Sequence, residues 1–201
     1  MNPSPISAGA FADTKPHYHL LDGLRGVAAL VVICFHIGED FATNSLTHYF
    51  SHGYLAVDFF FMLSGFVIGY AYDDRRNSMS VGSFIKRRVI RLHPMVIVGA
   101  LFGAVMFYGQ GSEYLNVQSV PLALLAFATL LNMLLVPAWS GVEVRGFGEI
   151  FPLNGPAWSL FFEYIANLLY VLFIRKLSTH RLALLVFAMA GALLGYALTN
   201  E

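Results

Sequence analysis

The chain has 201 residues, 12 basic and 12 acidic side chains, 57% hydrophobic and 12% charged residues, and a mean hydropathy of +0.64. Soluble domains carry roughly 25% charged residues, so this composition excludes an ordinary soluble fold and points to the bilayer. Zero net charge gives no overall field to recruit nucleic acid, and a lone cysteine, Cys34, excludes an internal disulfide.

Residues 1–20 are polar, with Pro3, Pro5 and Lys15, and hold no apolar core of a cleavable signal peptide. The first span therefore has to serve as the insertion signal. Six apolar segments follow, at about 23–41, 54–72, 94–109, 119–136, 156–174 and 182–198. The pattern predicts an all-α polytopic transmembrane helix bundle over residues 21–201, with about six membrane segments. Between the second and third segments, the stretch 73–93 carries Arg75, Arg76, Lys86, Arg87, Arg88 and Arg91, six of the 12 basic residues. Loops 42–53 and 110–118 carry none. The positive-inside rule places 73–93 in the cytoplasm, and with it the N-terminus, so the expected location is the inner (plasma) membrane. Strict alternation would then put the basic run Arg175–Arg181 outside. A re-entrant segment at 119–136, continued by the Pro- and Gly-rich stretch 137–156, would return it to the cytoplasm.

Arg25 and His36 stand eleven positions apart in the first span. At about 100° and 1.5 Å per residue they fall on one helix face, about 16 Å apart along the axis. Glu39, three residues on, could orient the imidazole and raise its basicity, as a general base for a hydroxyl proton requires. The alternative is a histidine satisfied by a neighbouring helix; polar groups inside membrane helices are costly, which favours function no less than packing. Asp22 reads as a helix cap or a partner for Arg25.

Asp58 in the second span either orients His36 or anchors the bundle. Ser64 and Gly65 favour close helix packing, since Ser64 has no base at helical spacing to activate it. Residues 83–94 read as a cytoplasmic interfacial helix. Its Arg87, Arg88 and Arg91 suit phosphate groups, through bidentate guanidinium contacts, but the charge pattern by itself favours binding of anionic lipid headgroups or the fixing of topology. Glu163, about two turns into a helix that Pro156 starts, either binds an acceptor hydroxyl or pairs with an Arg or His on another helix. His48 and His52 have the spacing of metal ligands but no third partner, so no metal site is expected.

Four pieces, in order, resemble the acyltransferase-3 family of membrane O-acyltransferases. They are Leu21-Asp22-Gly23-Leu24-Arg25-Gly26 with His36, Val57-Asp58-Phe59-Phe60 with Phe61–Phe66, Arg88-Val89-Ile90-Arg91-Leu92-His93-Pro94, and Trp158-Ser159-Leu160 with Glu163. The resemblance implies transfer of an acyl group, usually acetyl, from acyl-CoA to a hydroxyl of a carbohydrate, glycan or lipid-linked sugar. It implies no permanently bound cofactor, and partners limited to acyl-CoA, the acceptor and the lipid bilayer. The Arg25–His36 pair matches the family's catalytic motif. His36 would be the base or, alternatively, a transient acyl carrier, and Arg25 would bind donor phosphate or order the donor site. Arg88 and Arg91 match its cytoplasmic basic pair, which makes CoA phosphates their expected ligand.

Two departures stand out. His93 replaces the tyrosine that relatives often carry, and family members typically have about ten spans against about six here. By length the chain reads as a partial family domain, a truncated product or half of a larger protein. A non-catalytic carrier using Arg25, His36, Asp58 and Glu163 as a polar pathway, or an inactive family member, is the competing expectation.

Overall fold

The computed structural model describes residues 16, 18–41, 52–73, 79–110 and 120–199, with the side chains of 39–41 and 110 outside that set. In hydrocarbon, each backbone N–H and C=O must find its partner within the segment, so apolar runs of this length become helices. Among the described residues six α-helices result: α1 His19–Phe41, α2 Leu55–Tyr72, α3 Val81–Gln110, α4 Leu122–Met133, α5 Ala157–Leu172 and α6 Thr179–Thr199. Five stretches among the described residues are long and apolar enough to cross a membrane: His19–Gly38, Leu55–Tyr72, Val81–Gly109, Ala157–Lys176 and Thr179–Thr199. The chain is thus a multi-span helical membrane protein. It divides into two compact units, one ending at Leu63 and the other starting at Ser64.

In the first unit, α1 is one unbroken helix through Arg25 and His36. Phe35 lies against Gly53, just before α2, where a Cβ would stand 2.5 Å from the Phe35 Cβ.

In the second unit, α3 differs from the expectation of an interfacial helix ending at Pro94 and a separate span beginning there. One 30-residue helix, about 45 Å long, runs straight through Pro94. A proline removes one N–H and orphans one carbonyl, a local cost that a long apolar helix absorbs. Ser80 starts it, its Oγ accepting from the Ser83 N–H at 3.2 Å.

Helices α3 and α5 are antiparallel. Phe84, near the start of α3, packs with Ile68 of α2 and Val171 near the end of α5, while Val96, farther along α3, packs with Ala157 at the start of α5. Arg175, just past α5, donates from Nη1 to the Met79 carbonyl at 3.2 Å, just before α3. The basic start of α3, with Lys86–Arg91, and the run Arg175–Arg181 therefore lie at the same end of this unit.

Helix α4 explains how. Its 12 residues measure about 18 Å, short of the roughly 30 Å hydrocarbon core. It packs on the far end of α3, where Phe107 meets Leu125 and Ala128, and descends to the level of Val96, which meets Leu135. There the chain turns: the Val136 N–H reaches the Leu131 carbonyl and the Leu135 N–H reaches Asn132, and Pro137 follows. Leu135 takes the left-handed position (φ 53°) that glycine usually fills. It is held there because its side chain is buried with Val96, Phe151 and Ala157. The loop then climbs back, placing Val142 and Val144 beside Phe107, before it enters α5. Within this unit α4 runs from the level of Phe107 to that of Val96 and the loop after it comes back to Phe107, the geometry that the re-entrant expectation calls for.

The returning loop docks on α3 through glycine. A Cβ on Gly103 would collide with the backbone carbonyl of Leu153, and one on Gly99 would meet the Asn154 side chain. Asn132, 1% exposed, ties the loop to α4 by accepting from the Leu153 N–H at 3.3 Å and donating to the Ala128 carbonyl at 2.9 Å. Close packing and hydrogen bonds of this kind hold membrane helices together, because lipid offers no hydrophobic drive between them. Gly103→Ala is therefore expected to lower stability by about 1–3 kcal/mol through overpacking. Gly109→Ala, at a site with nothing within 4 Å, should leave it unchanged or slightly raised. Thermal unfolding of both variants in lipid or detergent checks the contrast, and equal midpoints would refute the docking role of Gly103.

Candidate functional site

Chemistry-bearing residues fall into both units. In the first, Arg25 and His36 occupy the one helix α1, eleven residues apart on one face by helical geometry. The Arg25 guanidinium holds Asp22 from Nη1 to Oδ1 at 3.3 Å, as a pair one turn apart can. His36 is exposed, with its ring edge-on to Phe35 at 5.3 Å between centroids. Glu39 lies on α1 three positions beyond, with its side chain outside the described residues. Asp58 is exposed in the first turn of α2, where the helix dipole favours a carboxylate. His48 lies outside the described residues, and His52 Nδ1 stands 3.4 Å from the Tyr54 hydroxyl.

The second unit has a layered interior where α2, α3 and α5 meet. The lowest layer is apolar and aromatic: Phe84 packs edge-on against Tyr72 at 4.9 Å and tilted against Tyr170 at 5.7 Å. One turn along α3 comes Arg88, only 4% exposed, with Nη2 at 2.7 Å from Glu163 Oε1. Ser64 of α2 donates its hydroxyl to the same Glu163 oxygen at 2.8 Å. A single carboxylate thus ties α2 and α3 to α5. Asn167, one turn on from Glu163 and fully buried, donates to the Glu163 carbonyl at 2.7 Å. Arg88 Nε and Asn167 Oδ1 are both buried without a hydrogen-bond partner. In the next layer the Tyr164 hydroxyl lies 3.5 Å from His93 Nδ1.

This arrangement divides the arginines. Arg88 points inward to Glu163, whereas Lys86, Arg87 and Arg91 are exposed. Three arginines close in sequence therefore have different partners available to them. Glu163 takes the ion-pairing role that its sequence left open beside acceptor binding. Sequence reasoning missed the buried Asn132 and Asn167 and the glycines of α3. The four-residue spacing of Gly99 and Gly103 in an apolar helix was the signal for the latter; single asparagines in apolar helices carry a similar cost and hence a similar hint.

Comparison with known proteins bears on the chain as a whole. The chain matches the acyltransferase domain family over residues 18–200. It is 33% identical over 188 residues to "Protein 2 in picA locus" of Rhizobium radiobacter, covering 87% of this chain and 91% of that one. It is 31% identical over 185 residues to "Acyltransferase MdmB" of Streptomyces mycarofaciens, covering 87% of this chain but 44% of the longer relative. A Staphylococcus aureus protein with O-acetyltransferase in its name is 39% identical over 82 residues, 39% of this chain and 12% of that protein. No solved structure matches. With the match running through α1 to α6 and a multi-span helical fold beneath it, the chain belongs to the acyltransferase-3 family of membrane acyltransferases.

Proposed function

We propose that this chain moves an acyl group, acetyl in the first instance, from cytoplasmic acyl-CoA to a hydroxyl of a carbohydrate or lipid-linked glycan. The observation that carries the reading is the Arg25–His36 pair on one face of α1, inside a family match spanning 18–200. His36 takes the proton of the acceptor hydroxyl as its oxygen attacks the thioester carbonyl carbon. The carbon–sulfur bond then breaks, and the CoA thiolate leaves and is protonated. Arg25 orders the donor, with Asp22 orienting its guanidinium.

The donor's phosphates go to the basic end, which the positive-inside rule puts in the cytoplasm together with the N-terminus. Arg87 and Arg91 supply the exposed guanidiniums there. Arg88 acts through Glu163 as a positioning residue.

The test uses membranes containing this chain and acetyl-labelled acetyl-CoA. Label should appear in a glycan or lipid fraction. Arg87→Ala with Arg91→Ala should raise the donor KM about tenfold or more, the loss of one or two charged hydrogen bonds, with the acceptor KM unchanged. Absence of label under every donor and acceptor condition would overturn the reading. An unaltered donor KM would return those arginines to lipid headgroups.

A further inference from the structure

The turn after α4 lies at mid-membrane depth. Leu135 is buried against Val96, near the centre of α3 and about 22 Å from either end of it at 1.5 Å per residue. Hydrogen bonding in this turn is one-sided. Every N–H is used: Leu134 donates to the Leu130 carbonyl, Leu135 to that of Asn132, Val136 to that of Leu131 and Ala138 to that of Ile150, while Pro137 has none to give. The carbonyls of Leu134, Leu135, Val136, Pro137 and Ala138 accept from no group among the described residues. Leu134, Val136 and Pro137 are exposed. Backbone left open in this way does not lie against hydrocarbon; at membrane depth it occurs where protein buries it or where it lines water.

The route out of the turn favours water. Ser140 and Gly141 follow it and are exposed. The charged tip 143–149 comes next: half-buried Glu143 and Arg145 alternate there with Val142 and Val144, which lie beside Phe107 near the end of α3. Covering the turn with further membrane helices would demand several side-chain donors at one depth, where polar groups are rare. Acceptors without donors also select a ligand: hydroxyls can donate to them, and ionised carboxylates cannot. The carbonyl end of α4, its negative pole, adds to the same preference. Trp139, 54% exposed, offers a flat apolar face next to these carbonyls. We infer that the turn Leu134–Trp139 is the inner wall of a water-filled cleft, open at the end of this unit opposite its basic end, that admits a neutral hydroxyl-rich molecule of the sugar class. That this molecule is the acyl acceptor rests on the acyl-transfer reading; the cleft does not.

The test uses Leu134→Cys and Val136→Cys in the full chain, with its only cysteine, Cys34, replaced by serine. Met189→Cys, at a site 57% exposed in the middle of α6, is the comparison. Sealed vesicles with the non-cytoplasmic side outward receive membrane-impermeant thiosulfonates, one cationic and one anionic. Thiols react as thiolates, which need water around them, so both turn variants should react about tenfold faster than Met189→Cys. All three should react fully in SDS. Relative to a free thiol in water, the cationic reagent should be favoured about threefold by the open carbonyls and the pole of α4. Turn variants as slow as Met189→Cys would overturn the cleft and put the turn under lipid or protein. An unchanged or reversed reagent preference would overturn the acceptor-only lining. In the transfer assay, the group attached at Val136→Cys should raise the acceptor KM severalfold over the same variant before reaction, with the donor KM unchanged. An unchanged acceptor KM would overturn the assignment of the cleft to the acceptor. Fast labelling in a chain that transfers nothing under any condition would uphold the cleft and defeat the acyl-transfer reading alone.

Discussion

Glu163→Ala is expected to destabilise the assembly of α2, α3 and α5 by about 3–5 kcal/mol, because it strands a buried guanidinium. Arg88 is 4% exposed and Glu163 19%, and the Ser64 hydroxyl loses its acceptor in the same step. Arg88→Ala should cost a similar amount by leaving the carboxylate unpaired. Replacing both at once, Arg88→Met with Glu163→Leu, should recover most of the loss, since well-packed apolar pairs are often as stable as the ion pair they replace. Thermal unfolding in detergent reads stability, and the transfer assay reads function. A double variant that is stable and active would make the pair purely a helix clamp. One that is stable and inactive would give the pair a role in positioning the reacting groups. Single variants as stable as the parent would refute the buried-pair energetics.

His36→Ala is expected to reduce acyl transfer by about 10²–10⁴-fold, the usual contribution of a positioned general base. The side chain is exposed on α1, so the substitution opens no buried cavity, and alanine favours the helix. Protein level and membrane insertion should therefore match those of the parent. His36→Gln, which retains hydrogen bonding without basicity, should be nearly as inactive. Transfer within a few-fold of the parent in either variant would remove His36 from the chemistry, whatever the family resemblance implies.

Much of the fold was legible because membrane helices announce themselves by length and apolarity. The segments read at 54–72 and 182–198 became Leu55–Tyr72 and Thr179–Thr199. The charge pattern raised the expectation of a segment that turns back, and α4 has 12 residues and is followed by a loop that returns along α3. Pro94 misled, since a proline that ends a helix in water can sit inside a long one when the flanking residues still pair. At the site, helical arithmetic could place Arg25 and His36 on one face, because both lie on one element. It could not distinguish Arg88 from Arg91. Which arginine turns inward depends on Glu163, 75 residues away on α5, and no local spacing encodes a partner at that distance.

The shortness of α4 also sets the parity of everything after it. Were α4 lengthened into a full crossing, α5 and α6 would each have to reverse direction. The run Arg175–Arg181 would then be carried to the face opposite Lys86–Arg91, against the preference that retains such charges. The same reversal would pull Glu163 away from Arg88 and the Leu153 carbonyl away from Gly103. Insertions into this helix should therefore be tolerated far less than insertions of equal size in the charged tip at 143–149. One short helix thus makes the rest of the chain's orientation an all-or-none property.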